Sequence, residues 1–268
     1  MAIISLQSAA SGLSALNTAM DVIANNLANV NTAGFKSSRA NFQDLLYLEK
    51  AQPGVRNANN DERPTGLYVG LGTKVSGTQL NFEQGSTIKG NKLDLMIEGN
   101  GFFRVRVQEA LGPAGTAYTR AGQFTLNSDG EIVLATDQGR RLDPPITVDG
   151  DVLDIAIDSS GQVQILRPGA AEPETVGQLQ ITNFVNPTGL KSVGENLFVE
   201  TGASGPPIDG NPGENAFGQI KQGYYEGSNV DPTNELIHLI RVQRAFEMNS
   251  NTIRAADEAL RTIAQLHR

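Results

Sequence analysis

The chain of 268 residues has no cysteine and no tryptophan. Without thiols, disulfides and thiolate metal sites are excluded. Only two histidines occur, His238 and His267. Both fall in the last stretch, and on helical geometry they lie about eight turns apart. They cannot share a metal or a catalytic triad there. No uninterrupted apolar run approaches the ~18 residues of a membrane span, and the N-terminus lacks the basic region of a secretory signal. A formal charge of −8 disfavours a nucleic-acid partner, whose phosphates demand a basic face. Charge is scarcest at the start, where Asp21 is the sole ionisable side chain between Met1 and Phe35.

Carboxylates are plentiful, and a pair flanking a glycosidic bond is conceivable chemistry. However, Asp129 and Asp149 sit in evident turns, where they serve as local acceptors. Gly70, Gly72 and Gly77 around Lys74 lack the spacing of a phosphate-binding loop and read as turn glycines. Neither a catalytic residue, a cofactor nor a metal ligand is assigned.

What the chain does have is a long C-terminal stretch, Asp231 to Arg268. Asp231 before Pro232 is a helix start, because the carboxylate can accept orphan backbone N–H groups and proline suits the first helical position. Leu239, Val242, Phe246, Asn249, Ile253, Ala256, Leu260 and Ile263 then recur in steps of three and four. That is a narrow heptad seam, which asks for a partner helix. The first stretch offers one. Leu6, Leu13, Met20 and Leu27 interleave with Ala9, Leu16, Ile23 and Val30, each series with a spacing of seven. Both ends are therefore expected to be coiled-coil-like. The plainer alternative is an amphipathic helix at each end of one globular domain. The off-seam positions of the first stretch are mostly Ser, Asn, Thr, Ala and Gln. A solvated helix face normally carries Lys and Glu, so this helix suits contacts on several sides.

The 29 glycines and 12 prolines point to many turns and short strands. From Leu67 the period becomes two. Leu93, Leu95 and Ile97, then Phe103, Val105 and Val107 after Gly99–Gly101, fall on alternate positions. Phe124–Leu126 and Ile132–Leu134 flank the turn Asn127–Gly130 as a hairpin. Ile155 and Ile157 turn through Ser160-Gly161 into Val163 and Ile165. Residues 36–50 read as a short helix or an extended arm. Residues 49–66 have almost no large apolar side chain and read as loop. The expected fold is α+β, with paired terminal helices enclosing an all-β middle. Residues 1–35 and 228–268 would form the helical assembly part, 36–92 and 215–227 the connections, and 93–214 the β domain.

Two motifs carry a resemblance. Asn26, Leu27, Asn29, Asn31, Thr32, Gly34 and Phe35 near one end, and Ser228, Asn229, Val230, Gln243 and Arg244 near the other, are similar to the signatures of bacterial flagellar rod and hook axial proteins. GNGFFRV, YTRAGQFTLNSDGEIV and NPTGL also resemble blocks of that family, so the likeness covers essentially the whole chain. It implies a structural, non-enzymatic subunit of a hollow helical homopolymer. Its assembly interface would comprise Leu6, Leu13, Leu16, Met20, Ile23, Leu27, Val30, Leu239, Val242, Phe246, Ile253, Ala256, Leu260 and Ile263. It further implies proximal rod proteins, the hook protein and surrounding rings as partners, delivery by the flagellar export apparatus, and a place in the periplasm-spanning basal body. The length available at 49–66 favours the distal rod over the hook, since that part of the family has a stretch there that braces neighbours. Proximal rod or hook stays open. So does an enzyme of another class, acting on cell-wall polysaccharide from a coiled-coil stalk.

Ordering a lone helix pair costs about 1–2 kcal/mol per residue in backbone entropy, and narrow seams offset little of it. Limited proteolysis of the monomer is therefore expected to trim both ends and leave a β core near residues 93–214. A monomer protected at both termini would contradict this.

Overall fold

The computed structural model describes residues 2–56, 62–148, 150, 152–169, 172–214 and 216–266. The chain divides into two compact units. One comprises residues 1–28, 38–79 and 231–268, and the other residues 29–37 and 80–230. Residues 38–79 thus belong with the helices, and the β unit reaches beyond 93–214 on both sides. The fragment protected from protease should accordingly extend to about residues 80–230.

The first unit contains helix α1 (Ala2–Ala28), strands β1 (Ser38–Asp44), β2 (Tyr47–Ala51), β3 (Leu67–Gly70) and β4 (Thr73–Leu80), and helix α2 (Pro232–Leu266). The start of α2 is built as the sequence implied. The Asp231 carboxylate accepts from the backbone of Thr233 at 2.9 Å and of Asn234 at 3.3 Å, satisfying two orphan donors. At 35 residues and 1.5 Å per residue, α2 is roughly 50 Å long. The two helices lie against each other.

Residues 36–50, expected as a short helix or an extended arm, take the extended form: β1 pairs with β4 and β2 with β3. The stretch read as loop is partly a hairpin. Its strands are joined further by the bridge Arg56–Glu62, and Arg63 N–H donates to Val55 at 3.2 Å. Residues 57–61 lie outside the described part. The loop composition misled because this hairpin turns its side chains to solvent instead of to a core. Leu46, Tyr47, Leu48, Val55, Leu67 and Tyr68 are all exposed.

The β unit contains β5 (Thr87–Lys89), β6 (Leu95–Glu98), β7 (Phe102–Arg106), β8 (Thr116–Thr119), β9 (Phe124–Leu126), β10 (Ile132–Leu134), β11 (Asp154–Ile157), β12 (Gln162–Leu166), β13 (Glu174–Gln178), β14 (Ile181–Asn183), β15 (Lys191–Gly194), β16 (Leu197–Val199), β17 (Ile208–Gly210), β18 (Gln219–Gln222) and β19 (Tyr224–Glu226). Its main sheet runs β15-β16-β8-β7-β14-β17. Alternation along each strand buries both faces of this sheet. Phe103, Val105, Ala117, Leu197 and Val199 enter the larger core. Phe102, Tyr118 and Phe198 enter a second, aromatic one with Phe184 and Leu190. In the second core Phe102 meets Phe82 edge-on at 5.3 Å and Phe184 at 5.9 Å, the geometry that ring quadrupoles favour.

The hairpins expected at Asn127–Gly130 and Ser160–Gly161 form, with Leu126 opposite Ile132 and Ile157 opposite Val163. The turn at Gly99–Gly101 differs. It does not pair its flanking strands: β6 pairs with β18, and β7 with β8 and β14. With Leu95, Met96 and Ile97 all buried, β6 lacks the polar face of a simple hairpin strand.

Candidate functional site

In the helical unit, the inner face of α1 is made of small residues. Ala9, Gly12, Ala15, Ala19, Ile23 and Asn26 are its buried positions. Leu6, Leu13, Leu16, Met20 and Leu27 are only half-buried within one chain, and Val30, expected in the same seam, lies beyond the end of α1 at Ala28. The helices come close at Gly12, where a Cβ would stand 2.9 Å from the Asn249 side-chain amide of α2. Along α2 the half-buried positions include Leu239, Val242, Phe246, Asn249, Ile253 and Ala256. Leu260 is exposed. The side chain of Ile263 lies outside the described part, as does His267.

The hydroxyls of α1 explain its lack of charge. Ser8 Oγ donates to the Gly70 carbonyl, and Ser11 Oγ accepts from the Thr73 N–H at 3.3 Å. Gly72, with φ +113°, leaves room for Ser11 there. At the other end of α1, Asn26 is buried and makes a bracket. Its amide donates to the Ser38 carbonyl at 2.8 Å and to Glu235 Oε1 at 3.1 Å, and its oxygen accepts the Ser38 N–H at 3.0 Å. Both ends of one side-chain amide are thus used, joining α1, β1 and α2. Leu27 flanks it half-buried, and Gln243 and Arg244 are exposed on α2.

In the β unit, the rest of both motifs comes together. Thr32 Oγ1 donates to Asn29 Oδ1 at 3.1 Å, and Asn31 is exposed. Asn229 Oδ1 accepts the Ser37 N–H at 2.7 Å, while its amide donates to the carbonyls of Asn81 and Glu83. Phe35 is half-buried, and its carbonyl accepts the Asn229 N–H at 3.4 Å. Ser228 Oγ accepts the Val230 N–H, and both residues are buried. Gly34 has φ +70° and lies beyond the end of α1 at Ala28. Its role is proximity: a Cβ there would lie 2.4 Å from the Ala121 nitrogen.

Sequence reasoning missed the charges beneath. Lys36, Arg120 and Glu226 are 2%, 4% and 1% exposed. Lys36 Nζ donates to Glu226 Oε1 at 2.7 Å and to the Glu83 carbonyl at 2.6 Å. The Gly85 N–H also donates to Glu226 Oε1, at 2.8 Å. Arg120 lies 3.5 Å from Glu226 Oε2 and donates to the carbonyls of Ile97 and Gly99. Burial pushes the Lys36 ammonium below its ordinary pKa, and Glu226 opposes that shift. Arg120 is lowered by burial too, again against the pull of Glu226. The signal was faint: Lys36 continues the first motif and Arg120 lies in YTRAGQF, but nothing local pairs either with Glu226.

Chemically this is a fastening, not a reaction centre. Among the described residues, no group of three or more His, Asp or Glu could hold a metal ion, and no described helix is long and apolar enough to cross a membrane.

Comparison with known proteins agrees with the two motifs. Residues 6–36 match the model of flagella basal body rod proteins, residues 96–165 the D1 domain of flagellar hook protein FlgE/F/G, and residues 221–266 the C-terminal region of flagellar basal body rod FlgEFG proteins. The flagellar basal-body rod protein FlgG of Caulobacter vibrioides is 45% identical over 264 residues, covering 97% of this chain and 98% of the relative. The chain belongs to the flagellar basal-body rod protein family. FlgG of Borreliella burgdorferi is 43% identical with 95% of each chain covered, and FlgF of Caulobacter vibrioides 32% with 94% of each. Like other members of the rod family, the chain is a structural subunit of the flagellar basal body. Its relatives carry the names of rod proteins, not enzymes, which removes the polysaccharide-cleaving alternative.

The Gly34 geometry gives a sharp expectation. Gly34→Ala forces a left-handed backbone that costs an L-residue roughly 1–2 kcal/mol, and its methyl also overlaps the Ala121 backbone. Chemical denaturation should show the β unit destabilised by at least that amount. A variant as stable as the parent would refute this account of the motif glycine.

Proposed function

We propose that copies of this chain pack side by side through their terminal helices into the distal rod. The product is a hollow helical drive shaft that carries torque from motor to hook. The observation that supports this reading most is the state of α2. In a helix of 35 residues, no described side chain is buried. Its solvent face carries Leu236, Ile237, Ile240 and Met248, and Leu260, in line with the seam, is exposed as well. A soluble monomer gains nothing from such a face, whereas a heterologous contact repeated from copy to copy covers it and extends without closing. The near-uncharged α1 has the same need.

The paired seams are read as coiled-coil-like, with the interface residues named above shared between a chain and its neighbours. The apolar hairpin β2–β3 is read as a brace against adjacent subunits. Proximal rod and hook proteins, the surrounding rings and the export apparatus are the further partners this role requires, and the site of action is the rod within the periplasm.

Leu260 tests the reading. Leu260→Asp puts a carboxylate where the proposed assembly is apolar, at a cost of roughly several kcal/mol for an unpaired buried ion, repeated in every subunit. Rods and motility should be lost, while melting of the β unit stays unchanged. Gln265→Asp, the same charge on an exposed position of the same helix, should assemble. Working rods from Leu260→Asp would overturn the proposal. If Leu260→Asp unfolds the β unit as well, the helix belongs to one globular domain.

A further inference from the structure

We propose that the Lys36–Glu226 pair is a releasable clasp on the connector formed by residues 29–37, able to open that segment as one piece while the β core stays folded. The connector supplies no residue to either hydrophobic core. Polar contacts hold it. Gly34 N–H donates to the Glu226 carbonyl at 2.8 Å, Asn81 N–H to the Ser37 carbonyl at 2.8 Å, and the Asn196 amide to the Ala33 carbonyl at 2.9 Å. Ser37 N–H reaches Asn229 Oδ1 at 2.7 Å. Its charged attachment is Lys36, which is buried on Glu226 and also donates to the Glu83 carbonyl. Segments with few buried apolar contacts open at lower free energy than the core they rest on.

Charge counting sets the clasp near release. Two cations, Lys36 and Arg120, face a single carboxylate in a buried site. Within the buried site the cations therefore outnumber the carboxylates, an excess that the exposed Glu83 opposes only from outside and that a low-dielectric interior penalises. When Lys36 swings into water, Glu226 keeps Arg120 and the Gly85 N–H, and the remaining pair is neutral. Opening therefore strands no anion. By chain order the connector is the link from α1 to β1. This inference does not rest on polymerisation.

Hydrogen exchange on the full chain, read by mass spectrometry, tests it with Lys36→Met. That variant removes the charge, keeps the length and leaves Glu226 partnered. Exchange at the Gly34 and Ser37 amides should accelerate about tenfold or more, while peptides from β7 and β14 stay within about twofold of the parent, the signature of a local opening. Unchanged protection of the connector overturns the proposal, and so does equal acceleration of connector and core. Lys36→Leu, which also removes the cation and leaves Arg120 paired with Glu226, should reproduce the local pattern. If neither variant folds, the cluster is part of the cooperative core and no clasp exists.

Discussion

A helix roughly 50 Å long that buries none of its described side chains cannot owe its stability to its own chain. Isolated helices gain little from propensity, and in proteins most helical stability comes from packing an apolar face. Here α1 covers one stripe of α2, and it does so through alanine and glycine. Such a seam brings the backbones close but removes little apolar surface from water. The rest of the molecule can be read from that shortage. The helical unit is unfinished as a single chain, whereas the β unit, with two closed cores, is complete.

The two units differ in the forces that hold them. In the β unit, the central strands β7, β8 and β16 send alternate side chains into the larger core and the aromatic one. Around that core, polar groups do the fastening. Asn229 ties the connector to Asn81 and Glu83, and Glu226 gathers Lys36, Arg120 and the Gly85 N–H. In the helical unit the same role falls to Asn26, whose one amide serves β1 and α2 together. The family motifs, rich in Asn, Thr and Gly, are therefore motifs of attachment. Side-chain amides with both donor and acceptor suit that work, and no catalytic residue type is needed.

Much of this was legible beforehand because it is local. Asp231-Pro232 marks the start of α2, and Asn127–Gly130 and Ser160–Gly161 turn hairpins, since cap and turn chemistry acts over a few residues. The half-buried stripe of α2 falls on the spacing of Leu239, Val242 and Phe246. What escaped is what depends on distance or on the absence of a core. The leucines of α1 were more conspicuous than its alanines, yet Ala9, Ala15 and Ala19 are the buried positions. The β2–β3 hairpin hid behind loop composition because it has no core to alternate against. The pairing of β6 with β18 and of Lys36 with Glu226 joins residues far apart in sequence, and no local pattern announces either.

Electron microscopy of polymer grown from the purified full chain tests the central claim most directly. The account predicts a straight hollow tube in which the ordered contacts between adjacent copies are made by α1 and α2. A polymer held together by its β units, with the helices outside the ordered contacts, would contradict it.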